Sequence, residues 1–266
     1  MTIQTTNQSK YKYGVRTGSE LAEVLLSAGW LSSQPAGGAS YRLSSLSERG
    51  SVTLSLYGTS ELSIRVESGS CSRTWALPSF SSGYHLLANP YGLFLAPVEQ
   101  TSSGSTTHGL FATVPYIDAE IDTSEISSCV FLAEIGAAGT AQRSFLWLND
   151  TELTDNTLAP GDTSWGVMQW QHFGLEGLFT TMGHSIKTPA ELFLPYAGPG
   201  ETPGACPVRR AGYFRDSIVV SEYLTRAQLV QQEGSSWMVT LSQMGGDHLS
   251  DTSTAWAVLW RIDEEL

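Results

Sequence analysis

Asp118, Glu120 and Asp122, followed by Glu125, form the tightest run of chemistry-bearing side chains in this 266-residue sequence. Alternate residues of a β-strand share one face, where carboxylate oxygens could take a hard cation such as Ca²⁺. The spacing lacks the central glycine and the terminal bidentate Glu of an EF-hand loop, so the run reads as a solvated or inter-subunit acidic strand. His85, His108, His172, His184 and His248 are scattered without the H-x-x-x-H pairing of a zinc helix. The nearest approach to a nucleophile elbow, Gly104-Ser-Thr-Thr-His-Gly109, has the wrong spacing. Gly198-Pro-Gly200 resembles a phosphate-cradling loop only superficially, because proline supplies no N–H.

Glycoside hydrolysis needs two carboxylates about 5–10 Å apart, and a chain with 26 acidic residues leaves that pairing open. Trp165, Trp170, His172 and Phe173 could stack on a sugar ring. However, Trp165, Val167 and Phe173 share one parity, and Met168 and Trp170 the other. Apolar residues on both faces suit a doubly buried strand better than a binding platform. No catalytic, cofactor-binding or metal-ligating residue is assigned from the sequence.

Composition narrows the function classes. With 14 basic against 26 acidic residues and a net charge of −12, the chain lacks the Lys and Arg that neutralise nucleic-acid phosphates. The same acidity disfavours anionic membranes. The one adjacent basic pair, Arg209-Arg210, reads as part of a salt-bridged loop. Cys71, Cys129 and Cys206 are too far apart for a C-x-x-C site and read as buried or free thiols. The polar start, Met1 to Lys10, has no signal-peptide core, and no apolar run reaches membrane-span length. The expectation is a protein made and soluble in a cytoplasm.

The elements that must position these residues follow from periodicity. Leu21, Val24, Leu25 and Ala28 form an amphipathic helical stripe. Thr17 and Glu20 make a capping box in front of it, and Gly29 supplies the left-handed stop behind it. Trp30 should anchor the helix end on a sheet. After the loop at 32–38 the period falls to two. Val52, Leu54 and Leu56, then Leu62, Ile64 and Val66, predict a hairpin with one core face, turning at Gly58-Thr59-Ser60.

A second hairpin is predicted around Asn89-Pro90-Tyr91-Gly92, a good type I turn between Leu86-Leu87-Ala88 and Leu93-Phe94-Leu95-Ala96. It should be buried on at least one face. Residues 101–107 form a polar loop and 195–204 a breaker-rich connection. Further strands are predicted over 109–114, 130–135, 145–148, 165–173, 218–221, 237–241 and 255–260. A second helix is expected at 221–232, where Tyr223, Ala227 and Val230 share a face.

Several segments, taken in order, resemble a group of tailed-bacteriophage virion structural proteins. They are the helix ending in Gly29-Trp30, the strands of the first hairpin, and Tyr84-His-Leu-Leu-Ala-Asn-Pro-Tyr-Gly-Leu-Phe-Leu95. Next come Val114-Pro-Tyr-Ile-Asp118, Phe214-Arg-Asp-Ser-Ile-Val-Val-Ser-Glu222, Trp237 and the apolar strand at 255–262. The resemblance runs from about Glu20 to Ile262. The acidic Asp263-Glu-Glu-Leu266 and the Pro90-Tyr91-Gly92 variation depart from the group.

The expected fold is mainly β, at the margin of α+β, with antiparallel sandwich-like sheets and one N-terminal amphipathic helix. It should form a single compact unit over 1–266, with a soft division into 1–118 and 119–266. The resemblance implies a virion component, most naturally in the tail at the tip, baseplate or fibre-attachment region. On that resemblance it is expected to act by protein–protein assembly and not as an enzyme, with other tail proteins and copies of itself in a symmetric ring or collar as partners. Direct nucleic-acid binding and membrane insertion are not expected. The alternatives are a glycan-binding β-sandwich module of the tail and a tail-associated hydrolase.

Overall fold

The structure is a computed structural model that describes residues 8–46, 49–58, 62–99, 107–135, 141–154, 188–195, 208–220, 224, 227–232, 234–243 and 256–266. The fold is mainly β, with one helix among the described residues. β1 (Lys10–Val15) leads into α1 (Gly18–Ser27), whose ends follow from local chemistry. The Thr17 hydroxyl accepts the Glu20 N–H, and the Glu20 carboxylate accepts the Thr17 and Arg16 N–H groups. At the other end Trp30 N–H bonds the Leu25 carbonyl and Gly29 N–H that of Leu26, with Gly29 at φ 96°. This is a Schellman stop, which satisfies carbonyls the helix leaves open.

Five strands follow as an antiparallel meander: β2 (Leu31–Ser33), β3 (Tyr41–Ser44), β4 (Thr53–Tyr57), β5 (Leu62–Ser68) and β6 (Cys71–Leu77). β5 alternates perfectly between buried and part-exposed residues, as its period-two pattern requires. The chain continues through β7 (Tyr84–Asn89), β8 (Gly92–Pro97), β9 (Gly109–Thr113) and β10 (Tyr116–Ile117). It then forms β11 (Cys129–Ile135), β12 (Ala141–Leu148), β13 (Thr151–Thr154), β14 (Thr188–Pro195) and β15 (Val208–Val220). β16 (Leu229–Gln232), β17 (Ser235–Gln243), β18 (Trp256–Ile262) and β19 (Glu264–Glu265) complete it.

β13-β12-β11-β9-β8-β7-β1-β19 make an eight-stranded sheet; β10, β15, β18, β17 and β16, with β14 beside β15, make a second sheet of six. The eight-stranded sheet lies between the other two. Leu86, Ala88, Leu93, Leu95, Leu110, Ala112, Val130 and Leu132 pack with α1 and the five-stranded sheet. Their alternates Leu87, Phe94, Ala96, Phe111, Phe131 and Ala133 pack with Phe214, Met238, Val258 and Trp260 of the six-stranded sheet. Edge-to-face rings run through this second core: Phe94–Phe111, Phe111–Phe131, Phe131–Phe214 and Phe111–Trp260, with centroids 5.2–6.3 Å apart. β9 and β11 are buried at every position, which explains their unbroken apolar runs. A third, smaller cluster of Val220, Val239, Ala257 and Leu259 lies on the far face of the six-stranded sheet.

The 84–98 hairpin forms as expected and is buried on both faces, with Asn89 paired to Gly92. Two-residue hairpins usually favour primed turns, but neither Pro90 nor Tyr91 has a positive φ. The unprimed turn is held instead by the Asn89 side chain, described below. Gly92 is required for space, because a Cβ there would stand 2.6 Å from the Ala112 carbonyl oxygen. The predicted strands at 109–114, 130–135, 145–148, 237–241 and 255–260 coincide with β9, β11, β12, β17 and β18. The predicted strand at 218–221 is the end of β15; the one at 165–173 lies outside the described residues.

Two expectations are corrected. The second helix at 221–232 is not formed over its described part. Ala227 is a turn residue at φ 60°, and Leu229–Gln232 is β16, hydrogen-bonded to β17 with Val230 opposite Trp237. Pairing of β16 with β17, with Gly234 at φ 76° beside it, supplies backbone bonds on one edge and adds cross-strand contacts such as Val230–Trp237 that a short helix would lack. The acidic strand at 118–125 is also absent. After Ile117 the chain runs through turns, because Ile121 and Ile126, five apart, must both enter the core. Asp122 closes the turn, its carboxylate accepting the Ser124 N–H at 2.7 Å and its carbonyl the N–H groups of Glu125 and Ile126.

Candidate functional site

The Asn89-Pro90-Tyr91 turn is where the layers are tied together. Within it, the Asn89 amide oxygen accepts the Tyr91 N–H at 2.9 Å, an Asx-turn that mimics a backbone turn. The Asn89 carbonyl accepts the buried Trp30 indole N–H at 2.8 Å, fixing the end of α1. The Pro90 carbonyl accepts the Leu46 N–H at 2.7 Å, and the Tyr91 carbonyl the Val114 N–H at 2.9 Å. The Asn89 amide N–H reaches the Asp216 carboxylate of β15 at 3.4 Å. Helix, five-stranded meander and six-stranded sheet therefore all meet one two-residue turn.

On the far side of this junction β15 changes partners. Its residues Gly212 and Tyr213 pair with β10, and Ser217 to Val220 pair with β18. Residues 214–216 pair with neither, and Asp216 takes φ 55°, a left-handed conformation uncommon for a residue with a Cβ. Its carboxylate lies 3.4 Å from an Arg261 guanidinium nitrogen. Arg261 Nε is also 2.8 Å from the Asp263 carboxylate, which accepts the Ser9 N–H at 2.8 Å. Burial pushes the Asp216 carboxyl above the usual aspartate range, and Arg261 opposes that rise only in part.

Next to Asp216, the Arg215 guanidinium sits 3.9 Å from the centroid of Tyr91 and 5.0 Å from that of Tyr116, a cation–π clamp. Tyr116 and Tyr213, directly opposite across β10 and β15, pack with centroids 4.9 Å apart. Arg210 bonds Asp118 at 2.7 Å beside them.

A second polar cluster joins the five-stranded and eight-stranded sheets. Arg73 donates to both oxygens of Glu152 at 2.8 and 2.6 Å, and the Trp147 indole N–H adds a third bond at 2.9 Å. The guanidinium lies 3.7 Å over the Phe145 ring, and the Trp75 indole donates to buried Glu134 at 2.8 Å. Hydrogen bonding from Arg73 holds the Glu152 carboxyl below the usual range. In both clusters the carboxylates are engaged by Arg, Trp or Asn donors from other strands, and the chemistry they perform is bridging.

The sequence candidates fall elsewhere or into these bridges. Asp118 is paired to Arg210, Asp122 closes its turn, and Glu120 is exposed. Among the described residues no group of three or more His, Cys, Asp and Glu could hold a metal ion. His85 accepts or donates at Nδ1 to the Tyr11 hydroxyl at 2.8 Å, and burial lowers its pKa. His108 is buried beside Phe80. Arg210 lies on β15, not in a loop. Cys71 is part-buried and Cys129 fully buried, both as free thiols. Cys206, Trp165, Trp170, His172, Phe173, His184, His248 and the glycine runs at 104–106 and 198–200 lie outside the described residues.

Asp216, Arg261, Arg73 and Glu152 carry no signal of their own in the sequence, since 79 residues separate Arg73 from Glu152 and 45 separate Asp216 from Arg261. The one trace is that Asn89 and Asp216 belong to two segments the sequence singled out, 84–95 and 214–222, and these meet in space. Compared with known proteins, the chain matches no family model, no curated protein and no solved structure.

Proposed function

We propose that this chain is a structural subunit of a tailed-phage virion, placed in the tail at the tip, baseplate or fibre-attachment region, and that it works through protein–protein assembly. The observation that supports the reading is convergence. Gly29-Trp30, the 84–95 segment, Val114-Pro-Tyr-Ile-Asp118 and the Asp216 segment are four of the pieces on which the expected likeness to phage virion proteins rests, the first-hairpin strands, Trp237 and the 255–262 strand being the others. These four meet at the Asn89-Pro90-Tyr91 turn. A stack of β-layers cross-braced by Arg–carboxylate and indole bonds suits a subunit that bears load without turnover. Its partners on this reading are other tail proteins and further copies of the chain. No described helix is long and apolar enough to cross a membrane.

The test is mass spectrometry of purified particles separated into tail-only and head-only fractions. The chain is expected in the tail fraction; its absence from intact particles overturns the proposal.

A second reading, glycan recognition, is favoured by one feature. The Tyr116–Tyr213 pair is part-exposed and flanked by Asp118 and Arg210, a combination of stacking surface and hydrogen-bonding rim that sugars use. Glycan-array binding by the purified protein, lost in Tyr213→Ala, would support it. An array without hits removes it.

A further inference from the structure

Leu43, Leu54, Leu56, Ile64 and Val66 turn one face of the five-stranded sheet into the core, so their alternates form its outer face. Across three strands of that face the register sets Arg42 of β3 opposite Ser55 of β4, and Ser55 opposite Arg65 of β5. Neighbouring strands lie about 4.8 Å apart, so the two arginine backbones stand about 10 Å from each other with only a serine between them. Side chains rising from such positions can hold one small anion from both sides. The face is open to solvent, with the Arg42 and Arg65 side chains 35% and 42% exposed.

Both guanidiniums reach the same carboxylate. Glu67 lies 2.9 Å from Arg65 and 3.5 Å from Arg42. Among the described residues it is the one carboxylate shared by two basic side chains. Two positive groups against one negative leave a local excess of positive charge in a chain of net charge −12. Many donors stay open. Arg65 Nη2 reaches the Ser72 hydroxyl only at 3.4 Å, and its enclosed Nε finds no acceptor. Arg42 makes no side-chain hydrogen bond among the described residues. An enclosed polar nitrogen without an acceptor calls for one. The Ser44 and Thr53 hydroxyls, 3.0 Å apart, line the rim. Tyr57 is part-exposed and follows Ser55 by two residues on the same face, about 7 Å along the strand.

We infer that Arg42, Ser55 and Arg65 seat the phosphate or sulfate ester of an anionic saccharide whose ring lies against Tyr57. The class follows from the chemistry. A tetrahedral oxyanion offers oxygens to both arginine forks at once. Hydroxyls on the rim match those of a sugar, and a tyrosine ring suits its apolar face. One isolated arginine pair does not suit a nucleic acid, which needs a row of phosphate contacts. The seat goes beyond the assembly reading. It also lies across the eight-stranded sheet from Tyr116 and Tyr213, which belong to the six-stranded sheet.

The test is a ¹⁵N NMR titration of the full chain at constant ionic strength, following the arginine Nε–H signals. Glucose 6-phosphate, inorganic phosphate and glucose are the separate probes. Glucose 6-phosphate should shift Arg65 saturably and bind about threefold or more tighter than inorganic phosphate, while glucose leaves the Arg65 signal in place. Arg42→Gln should weaken glucose 6-phosphate about tenfold. Tyr57→Ala should weaken it about threefold and leave inorganic phosphate unchanged.

Glu67→Gln carries the sharpest sign. It should tighten both phosphate probes about threefold, because the carboxylate competes for the same guanidiniums. Tyr213→Ala should change nothing, and circular dichroism checks that each variant is folded. No saturable Arg65 shift by about 10 mM glucose 6-phosphate overturns the inference. So does inorganic phosphate binding as tightly as the sugar ester, or a Glu67→Gln variant that binds less tightly. Presence in the tail fraction is measured without reference to these residues, so the assembly reading and this inference fail separately.

Discussion

Replacing Glu152 should loosen the join between the five-stranded and eight-stranded sheets by an amount the geometry sets. Its carboxylate accepts three hydrogen bonds, two from Arg73 and one from Trp147. The Arg73 and Glu152 side chains are 28% and 30% exposed, so the pair lies between a surface bridge, worth about 0–1 kcal/mol, and a buried bond to a charged group, worth about 1.5–3 kcal/mol. A coupling of about 1–2 kcal/mol between Arg73 and Glu152 is expected. Glu152→Ala also strands the indole N–H of Trp147, which is 1% exposed, and should cost about 2–4 kcal/mol in all.

Glu152→Gln keeps an acceptor for Trp147 and should cost less than Glu152→Ala. The assay is urea unfolding followed by tryptophan fluorescence, run as a double-mutant cycle over Arg73→Ala, Glu152→Ala and the pair. The pH dependence carries a sign as well. The folded carboxyl is held below its unfolded value, first by the Arg73 hydrogen bonds. Its contribution is therefore present above the ordinary glutamate range and lost as pH falls through the lowered folded value. Wild type and Glu152→Gln should converge in acid. A coupling under about 0.5 kcal/mol, or a gap that does not close in acid, would refute the bridging role.

Gly92→Ala should lower stability by about 1–3 kcal/mol or more, because its Cβ would meet the Ala112 carbonyl oxygen at 2.6 Å and Thr113 Cβ at 2.7 Å; an unchanged melting temperature would show that β8 and β9 can separate freely. Asp216→Asn should flatten part of the stability–pH curve. The folded Asp216 carboxyl is raised by burial, so wild type is favoured below the ordinary aspartate range and loses stability as pH rises through the raised value, while the amide does not titrate. A parallel pair of curves would place Asp216 in water. Burial pushes the Cys129 thiol up to about 12 and raises that of Cys71, so iodoacetamide with peptide mapping should leave Cys129 unmodified in the native protein and label Cys71 slowly. Fast labelling of Cys129 would contradict its place in the core.

Much of the fold was legible where neighbours in sequence do the work. α1 is written in Thr17, Glu20 and Gly29, whose capping roles act over three or four residues, and the 84–98 hairpin in Asn89, Pro90 and Gly92. β5 is legible because its residues face core and solvent in turn. Reading failed where a local pattern met a non-local demand. Tyr223, Ala227 and Val230 suggest a helix face, but pairing of Val230 with Trp237 outweighs a short helix. Asp118, Glu120 and Asp122 suggest a strand, but Ile121 and Ile126 both have to reach the core.

By itself, then, the sequence determined α1 and its two caps, the turn at Asn89-Pro90, the period-two strands and the acidic, β-rich character of the chain. Only the tertiary structure decided that the eight-stranded sheet is covered on both faces. It also decided that Asn89 finds Asp216, that Arg73 finds Glu152, and that Asp263 passes the chain between sheets. The physical reason is range. Caps and turns are settled by bonds within a few residues, whereas strand order and cross-sheet bridges depend on which surfaces are brought together when the layers stack, and no spacing along the chain encodes that.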